Sequence, residues 1–382
     1  MRFSTLAALL LLCACQNTAV IVRSADCART CRGCCDVTGA CMPGTATDAC
    51  GAPGDLCSAC GANEFCAESR FCSPIERIEV PDAGQQPVDA GMTRCPPDGW
   101  CLDGLDAQNA PVTTAHLRAV WAQAANDVWV VGDQGTILHF DGTQWNRATS
   151  GVSDDLFGVW AASATDVWAV GGSGDPTLPI GVVMHFDGTQ WVAAQRNLPR
   201  VDAVWGSAAN DVWFAGPAGS LHHWNGSTFT AVSSNTTKDI VDLSGSGSSH
   251  VWAVGSSGLI LEFDGSTWRE VPTTNQSGLT SALAFGPALA WVAGGNGAFG
   301  SWDGTAWTSF SVGQDITVMG LWGARPDAVW GVGPSGEVQF FNGTRTVTRV
   351  THTPNLLRDV HGCSERDVWA VGFNGTILRY QP

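Results

Sequence analysis

A tryptophan recurs at Trp129, Trp168, Trp213, Trp252, Trp291, Trp330 and Trp369, at intervals of 39, 45, 39, 39, 39 and 39 residues. A fixed period of this length identifies one supersecondary unit copied along the chain, and it constrains the fold more than any composition does. The clearest copy is LRAVWAQAANDVWVVGDQGTILHFDGTQW, Leu117 to Trp145.

Each copy holds four short elements with strand rather than helix periodicity. They are a (LRAVW), b (DVWVVG), c (TILHFDG) and d, which runs through the last Trp into a polar stretch. Between c and d stand Asp141-Gly142, Asp187-Gly188, Asn225-Gly226, Asp264-Gly265, Asp303-Gly304 and Asn342-Gly343. Asp-Gly and Asn-Gly predict type I′ hairpins, which need positive φ at both central residues. Each copy is therefore a four-stranded antiparallel meander, and such units at this period predict an all-β, seven-bladed β-propeller. The turn density excludes a helical solenoid, and the hairpin connections exclude a β-helix.

The seventh copy is short: the chain ends where its strand d should begin. Upstream of the first copy stands Pro97-Asp98-Gly99-Trp100-Cys101-Leu102, a turn and a Trp with no blade of their own. Residues 98–105 are expected to supply the missing strand and close the ring, with a Cys95–Cys101 disulfide pinning it; the alternative is plain linker. All 18 tryptophans then have places. Trp121, Trp160, Trp205 and Trp322 end strand a, and seven lie on b. Trp100, Trp145, Trp191, Trp268 and Trp307 lie on d, while Trp224 and Trp302 replace Phe on c. At repeat-equivalent positions, packing between blades outweighs sugar stacking. His139, His185 and His223 share one position on c and are read the same way.

The first 97 residues differ. Residues 1–14 form a secretory signal with Arg2 ahead of an apolar run too short to span a bilayer. After a tether at 15–26, ten cysteines crowd residues 27–72: Cys27, Cys31, Cys34, Cys35, Cys41, Cys50, Cys57, Cys60, Cys66 and Cys72. A segment this poor in large apolar residues needs cross-links, and five disulfides of unassigned connectivity are expected. Cys31-x-x-Cys34 and Cys57-x-x-Cys60 have zinc-ligand spacing, but the segment has no His and no metal is assigned. Residues 73–97, centred on PDAGQQPVDAGM, read as an extended spacer. A net charge of −16 with a single Lys and no basic run argues against nucleic acid and anionic membrane surfaces as partners.

Leu12-Cys13-Ala14-Cys15 resembles the bacterial lipobox, which implies lipid attachment at Cys15; Gln16 in place of Asp implies an outer-membrane or cell-surface site, with a secreted or periplasmic protein as the alternative. The CRGCC...C...CG..G..C..CG...FC pattern resembles Cys-rich modules of surface lipoproteins in soil bacteria. VWAVG...G.I..FDG..W is similar to tectonin and BNR repeats, over about residues 98–382, and implies carbohydrate or protein binding on a propeller. FDGTQW resembles the sialidase Asp-box but lacks its Ser. That family uses an arginine cluster and a Tyr nucleophile, whereas Tyr380, the one Tyr, occupies a Phe/Trp repeat position.

No catalytic residue or cofactor is assigned. Asp154 and Asp155 read as solvated loop acids rather than a glycosidase pair. Asp127, Asp166, Asp211 and Asp367 read as turn residues ahead of strand b. Cys363, aligned with Ser207, reads as a semi-buried thiol. Departures from the repeat are more informative. The second b–c connection, GGSGDPTLPIG, is longer than the others and supplies the candidate ligand loop Asp175, Thr177, Leu178 and Ile180. The d–a connections around Lys238, Gln276 and His352 also vary, and both sets of loops should share one face; neutral drift is the competing reading. The functional expectation is a lipid-anchored monomeric propeller acting as a non-catalytic platform for a glycan or envelope protein. The alternatives are an envelope-assembly factor without glycan binding and, third, a glycosidase- or lyase-type enzyme.

Overall fold

The computed structural model describes residues 45–46, 49–50, 64–66, 72–74, 99–106, 110–173, 180–273, 277–310, 316–351 and 353–381. Cys15 and the bonding of the ten cysteines at 27–72 lie outside them. Contacts divide the chain into two units, one holding Thr93–Pro382 and the other Thr18–Met92. In the second, Thr45–Ala46 pairs with Ala49–Cys50, and Glu64–Cys66 with Cys72–Pro74.

The first unit is the seven-bladed propeller. Its four-stranded antiparallel blades span 117–148, 155–198, 203–231, 240–270, 279–309 and 320–350, and blade 7 combines 357–380 with 100–103. Within a blade the order is a, b, c, d, and the a strands touch one another in a closed ring around the axis. Strand b is sandwiched between neighbouring blades. That position explains why it reads as an unbroken apolar run, buried from Val128 to Gly132 in blade 1, while outer strand Trp145–Ala148 is largely exposed.

The strand b tryptophans join successive blades. Trp129 meets Trp191 of blade 2 edge to face at 5.5 Å, Trp213 meets Trp268 at 5.2 Å, and Trp252 meets Trp307 at 6.3 Å. Trp330 meets Trp100, and Trp369 meets Trp145, each at 5.4 Å. Where strand d lacks Trp, Trp168 packs on Phe214 and Trp224, and Trp291 on Phe310 and Phe341. Each such pair adds about 0.5–1.5 kcal/mol beyond area burial.

His139, His185 and His223 stack on the Trp of their own strand b, at 4.0, 4.2 and 4.3 Å between ring centres. Each ring reaches a carboxylate, Asp127, Asp166 or Asp211, at 2.7, 2.8 and 2.6 Å. These aspartates are thus the first residues of strand b and tie it to strand c, rather than turn residues. In blade 7, Arg379 takes the place of His and donates to Asp367 at 2.8 Å.

The c–d turns also depart from expectation. Positive φ falls on glycine alone, +92° at Gly142, and Asp141 precedes it in ordinary backbone. Asp141 is the turn's acceptor: its Oδ1 takes hydrogen bonds from the Thr143 N–H, the Thr143 hydroxyl and the Gln144 N–H. The side chain thereby substitutes for a second left-handed residue.

The ring closes as the sequence implies. Trp100–Asp103 pairs antiparallel with Ile377–Tyr380, with Trp100 opposite Tyr380. Trp100 is 1% exposed, Cys101 is disulfide-bonded, and Asp103 accepts from the Trp145 indole N–H of blade 1 at 2.9 Å. The expected partner, Cys95, lies outside the described residues.

Candidate functional site

Strand a builds the axis, so its residues decide what an approaching molecule meets. Aligned on the repeat, its first position is always large and apolar: Leu117, Leu156, Val201, Ile240, Leu279, Val318 and Leu357. The second position follows no rule: Arg118, Phe157, Asp202, Val241, Thr280, Met319 and Arg358. These seven form a ring at the mouth of the central channel. The face is the one carrying the b–c and d–a connections, which bind each other: the Gly135 N–H donates to the Asp154 carbonyl, and the Gln134 N–H to the Asp155 carboxylate at 2.9 Å. Asp154 also lies 3.7 Å from Arg196, so this acidic pair is structural.

The mouth has two halves. Across blades 7, 1, 2 and 3 it is basic and aromatic. Arg118 and Arg200 lie over the Phe157 ring at 5.7 and 5.4 Å from its centre. Arg118 pairs with Asp133 at 2.6 Å, and Arg200 with Asp202 at 2.7 Å. Arg358 differs. Among the described residues no carboxylate lies within ion-pairing distance of it, and its guanidinium donates to the Met319 Sδ at 3.5 Å. Burial first, and the Arg118 charge second, hold its pKa below the usual arginine value, against the pull of Asp359 and Asp202. The residue is nonetheless exposed at the surface, and a guanidinium stays protonated regardless, so it presents its positive charge to solvent. Burial likewise raises Asp202, against its bond to Arg200. Across blades 4 to 6 the ring is Val241, Thr280 and Met319; the Thr280 hydroxyl is used by the Val318 carbonyl at 2.5 Å.

Beneath the mouth, two devices seal the joints between a strands. One is a ring side chain over a small residue. Trp160 occupies the space a Cβ on Gly206 would need, Trp205 that of Gly245, and Trp322 that of Gly362. The other is a polar bridge. Asp242 Oδ2 accepts from the Ala282 N–H at 2.8 Å and Ser244 Oγ from the Ala284 N–H at 3.0 Å, joining blades 4 and 5. Ser281 Oγ accepts from the Leu321 N–H at 3.1 Å. Blade 7 reaches blade 1 through Asp359 Oδ2 and the Val120 N–H, 2.9 Å, and His361 Nδ1 and the Ala122 N–H, 3.1 Å. Asp242 and Asp359 keep some contact with the channel, yet protein surrounds them, and burial raises their pKa values to about 6 and about 7. Burial lowers His361 to about 3.

Of the candidate ligand loop, Asp175, Thr177 and Leu178 lie outside the described residues. Ile180, at the loop's base, is 44% exposed, and its carbonyl accepts from the Ser173 N–H at 3.0 Å. Gln276 and His352 are also outside. Lys238 lies on this same face, pairing with Glu270 at 2.9 Å, and with Gly219 and residues 232–237 lines a shallow depression of about 590 Å³.

Catalytic arrangements are poorly served. The Ser207 hydroxyl donates to Asp211 at 2.5 Å, and His223 meets Asp211 rather than the hydroxyl, so the order is not that of a Ser-His-Asp relay. Cys363 repeats the pattern, its half-buried thiol donating to Asp367 at 3.6 Å. Tyr380 packs on Trp100 and Trp330 at 5.4 and 4.8 Å, at the c–d end of its blade, the end opposite Arg118, Arg200 and Arg358. Among the described residues no group of three His, Cys, Asp or Glu is placed to hold a metal ion. The mouth ring itself was missed from the sequence. The signal for it is a strand a position that ranges over basic, acidic, aromatic and aliphatic residues directly after one that is apolar in every copy.

No family model matches the chain, and no curated protein matches it in sequence. Solved structures do share the fold. YCF48 bound to D1 peptide has a TM-score of 0.60 and 19% identity, over 74% of this chain and 95% of that one. YCF48 from Cyanidioschyzon merolae has a TM-score of 0.58 and 16% identity, over 74% and 99% of the two chains.

Proposed function

We propose that this protein is a non-catalytic, protein-binding scaffold that engages its partner on the face carrying the b–c and d–a connections, centred on the channel mouth. The observation that carries the reading is the basic and aromatic half-ring of Arg358, Arg118, Phe157 and Arg200 in a chain of net charge −16. Guanidinium groups gathered at one end of the axis of an acidic protein orient a partner. A propeller of the same fold, YCF48, is described bound to D1 peptide, which supports a protein over a glycan. The reading includes attachment to the bacterial outer membrane or cell surface through a lipid on Cys15, with the Cys-rich segment and spacer holding the propeller away from it.

A photo-cross-linking residue in place of exposed Gln134, on the mouth face, should capture a defined partner in the native envelope. The same group in place of exposed Thr143, in a c–d turn at the opposite end of the strands, should not. Equal capture from both positions would remove the face assignment. Saturable signal on a glycan array, lost in Arg358→Gln, would favour the carbohydrate-binding reading that the tectonin-like repeats imply. For the anchor, Cys15→Ser should move the protein out of the membrane fraction; retention there would overturn it.

A further inference from the structure

We propose that Asn225 and Asn342 are sites of spontaneous covalent modification, each losing its side-chain amide through a succinimide closed by the nitrogen of the following glycine, while Asn296 and Asn374, in the same dipeptide, stay intact. The inference is independent of the protein-binding reading and concerns the c–d turns, at the other end of the strands.

The chain contains four Asn-Gly pairs, at 225, 296, 342 and 374. Such a pair is open to one reaction that needs no enzyme. The glycine nitrogen gives its proton to solvent and attacks the asparagine Cγ; a C–N bond forms, and Nδ2 takes up a proton and leaves as ammonia. Water, the only co-reactant, then opens the ring at either carbonyl. One opening gives aspartate, the other isoaspartate, in which the chain runs through Cβ and Cγ. Glycine allows the approach because it has no Cβ to crowd it.

Sequence makes the four pairs equal, and the structure separates them by the state of the two nitrogens that must react. In the b–c turns of blades 5 and 7 both are tied. The Gly297 N–H donates to the Ile316 carbonyl at 2.8 Å, and the Gly375 N–H to the Ala115 carbonyl at 2.9 Å. The departing nitrogens are held as well, Asn296 Nδ2 by Ser277 Oγ at 3.3 Å and Asn374 Nδ2 by Asn355 Oδ1 at 3.1 Å. In the c–d turns of blades 3 and 6 both are free. Among the described residues, neither the Gly226 and Gly343 N–H groups nor the Nδ2 atoms of Asn225 and Asn342 have a hydrogen-bond partner, and both glycines are exposed.

The atom that the reaction keeps is the one that is bonded. Asn225 Oδ1 accepts from the Ser227 N–H, the Ser227 hydroxyl and the Thr228 N–H at 3.0, 2.9 and 2.8 Å. Asn342 Oδ1 accepts from the Thr344 N–H, the Thr344 hydroxyl and the Arg345 N–H at 3.2, 3.0 and 3.1 Å. Three donors polarise the carbonyl and stabilise the negative charge that collects on Oδ1 as the ring closes. The first bond of each set folds the side chain back over the glycine peptide, so Cγ starts near the attacking nitrogen. On Asp141, Asp187, Asp264 and Asp303, at the same position in four other blades, the equivalent bonds favour the ionised carboxylate, which resists attack.

The test ages the full chain, folded, in mildly alkaline buffer and follows the four sites by peptide mapping, reading the one-dalton gain and the isoaspartate content. Asn225 and Asn342 should convert about tenfold or more faster than Asn296 and Asn374, the scale of two hydrogen bonds that must break before reaction. In concentrated urea the four rates should converge, since only the fold distinguishes them. The double variant Asn225→Asp, Asn342→Asp, which already carries the product, should lose the acidic shift that the ageing parent develops on isoelectric focusing. Conversion of Asn296 or Asn374 as fast as Asn225 in the folded protein, intact amides at 225 and 342 after the unfolded chain has converted, or an acidic shift that persists in the double variant overturns the proposal.

Discussion

The indole of Trp205, within the innermost strand of blade 3, fills the volume that a Cβ on Gly245 of blade 4 would occupy. All three of the nearest atoms to that position belong to the ring, and Gly245 has ordinary backbone φ, so sterics rather than conformation select glycine here. Gly245→Ala should destabilise the propeller by about 1–3 kcal/mol, as overpacking of a close-packed joint does. Gly247→Ala, two residues along with nothing near its Cβ, should stay within about 0.5 kcal/mol of the parent. Urea titration of the two variants side by side checks the contrast, and equal midpoints would contradict it.

Ring closure by the chain's two ends makes a second prediction. Trp100 is buried against Trp330 and Tyr380, and its strand is the sole one that blade 7 borrows from upstream. Trp100→Ala removes those contacts and leaves a cavity, with an expected loss of about 3–5 kcal/mol. Deleting residues 95–105 should lower the thermal midpoint at least as far; an unchanged midpoint would show that the strand is not needed for closure.

How much of this was legible beforehand follows from what repeats. Trp129 and its six equivalents, and the glycines after Asp141 and its equivalents, recur because every joint and every hairpin poses the same packing problem, so fold and closure could be read by alignment. The mouth ring could not be read by the same rule. Arg118, Phe157, Asp202, Val241, Thr280, Met319 and Arg358 share a position but no property, and only the circular arrangement brings Arg358 within electrostatic reach of Asp202, three blades on. The Asp127–His139 pair was half visible: the residues repeat, but a strand-to-strand bond needs the register. The turn type was misjudged because an Asx acceptor and a left-handed Asp share one sequence signature.

The axis groups set a pH dependence. Between about pH 4 and their folded values of about 6 and about 7, Asp242 and Asp359 hold protons in the folded state that the unfolded chain has released. Stability therefore falls as pH rises through those windows and levels off above about 7. His361 acts oppositely: between about 3 and 6.5 the unfolded chain holds the proton and the fold excludes it, so stability rises with pH. One carboxyl is offset by the imidazole, leaving a net decline of one proton from about pH 4 to 6. Asp359→Asn should flatten or reverse that slope, although its baseline drops because the amide cannot accept from both Val120 and Val360. Chemical denaturation from pH 4 to 8 measures it; a parallel offset at every pH would refute the assignment.

The exposed turns supply the acid limb. Hydrogen bonds from Thr189 and Gln190 hold Asp187 at about 2, those from Ser266 and Thr267 hold Asp264 at about 2, and Asp141 and Asp303 are depressed by the equivalent bonds. A depressed carboxylate contributes stability that is present above the unfolded pKa and lost as pH falls through the folded one, so these turns weaken below about pH 4. The protein already contains the control. Asn225 and Asn342 stand at the same position in blades 3 and 6, and their Oδ1 atoms accept the same bonds, at 2.8 to 3.2 Å. Replacing Asp141, Asp187, Asp264 and Asp303 together by Asn should leave the pH 7 denaturation midpoint close to the parent's and raise the midpoint at pH 2.5, since Asn accepts without titrating. A loss at pH 7 would mean that the charge itself matters to these turns; no gain at pH 2.5 would place the acid sensitivity elsewhere. The comparison works because acceptor geometry and charge, inseparable in Asp141, are separated by the repeat itself in Asn225.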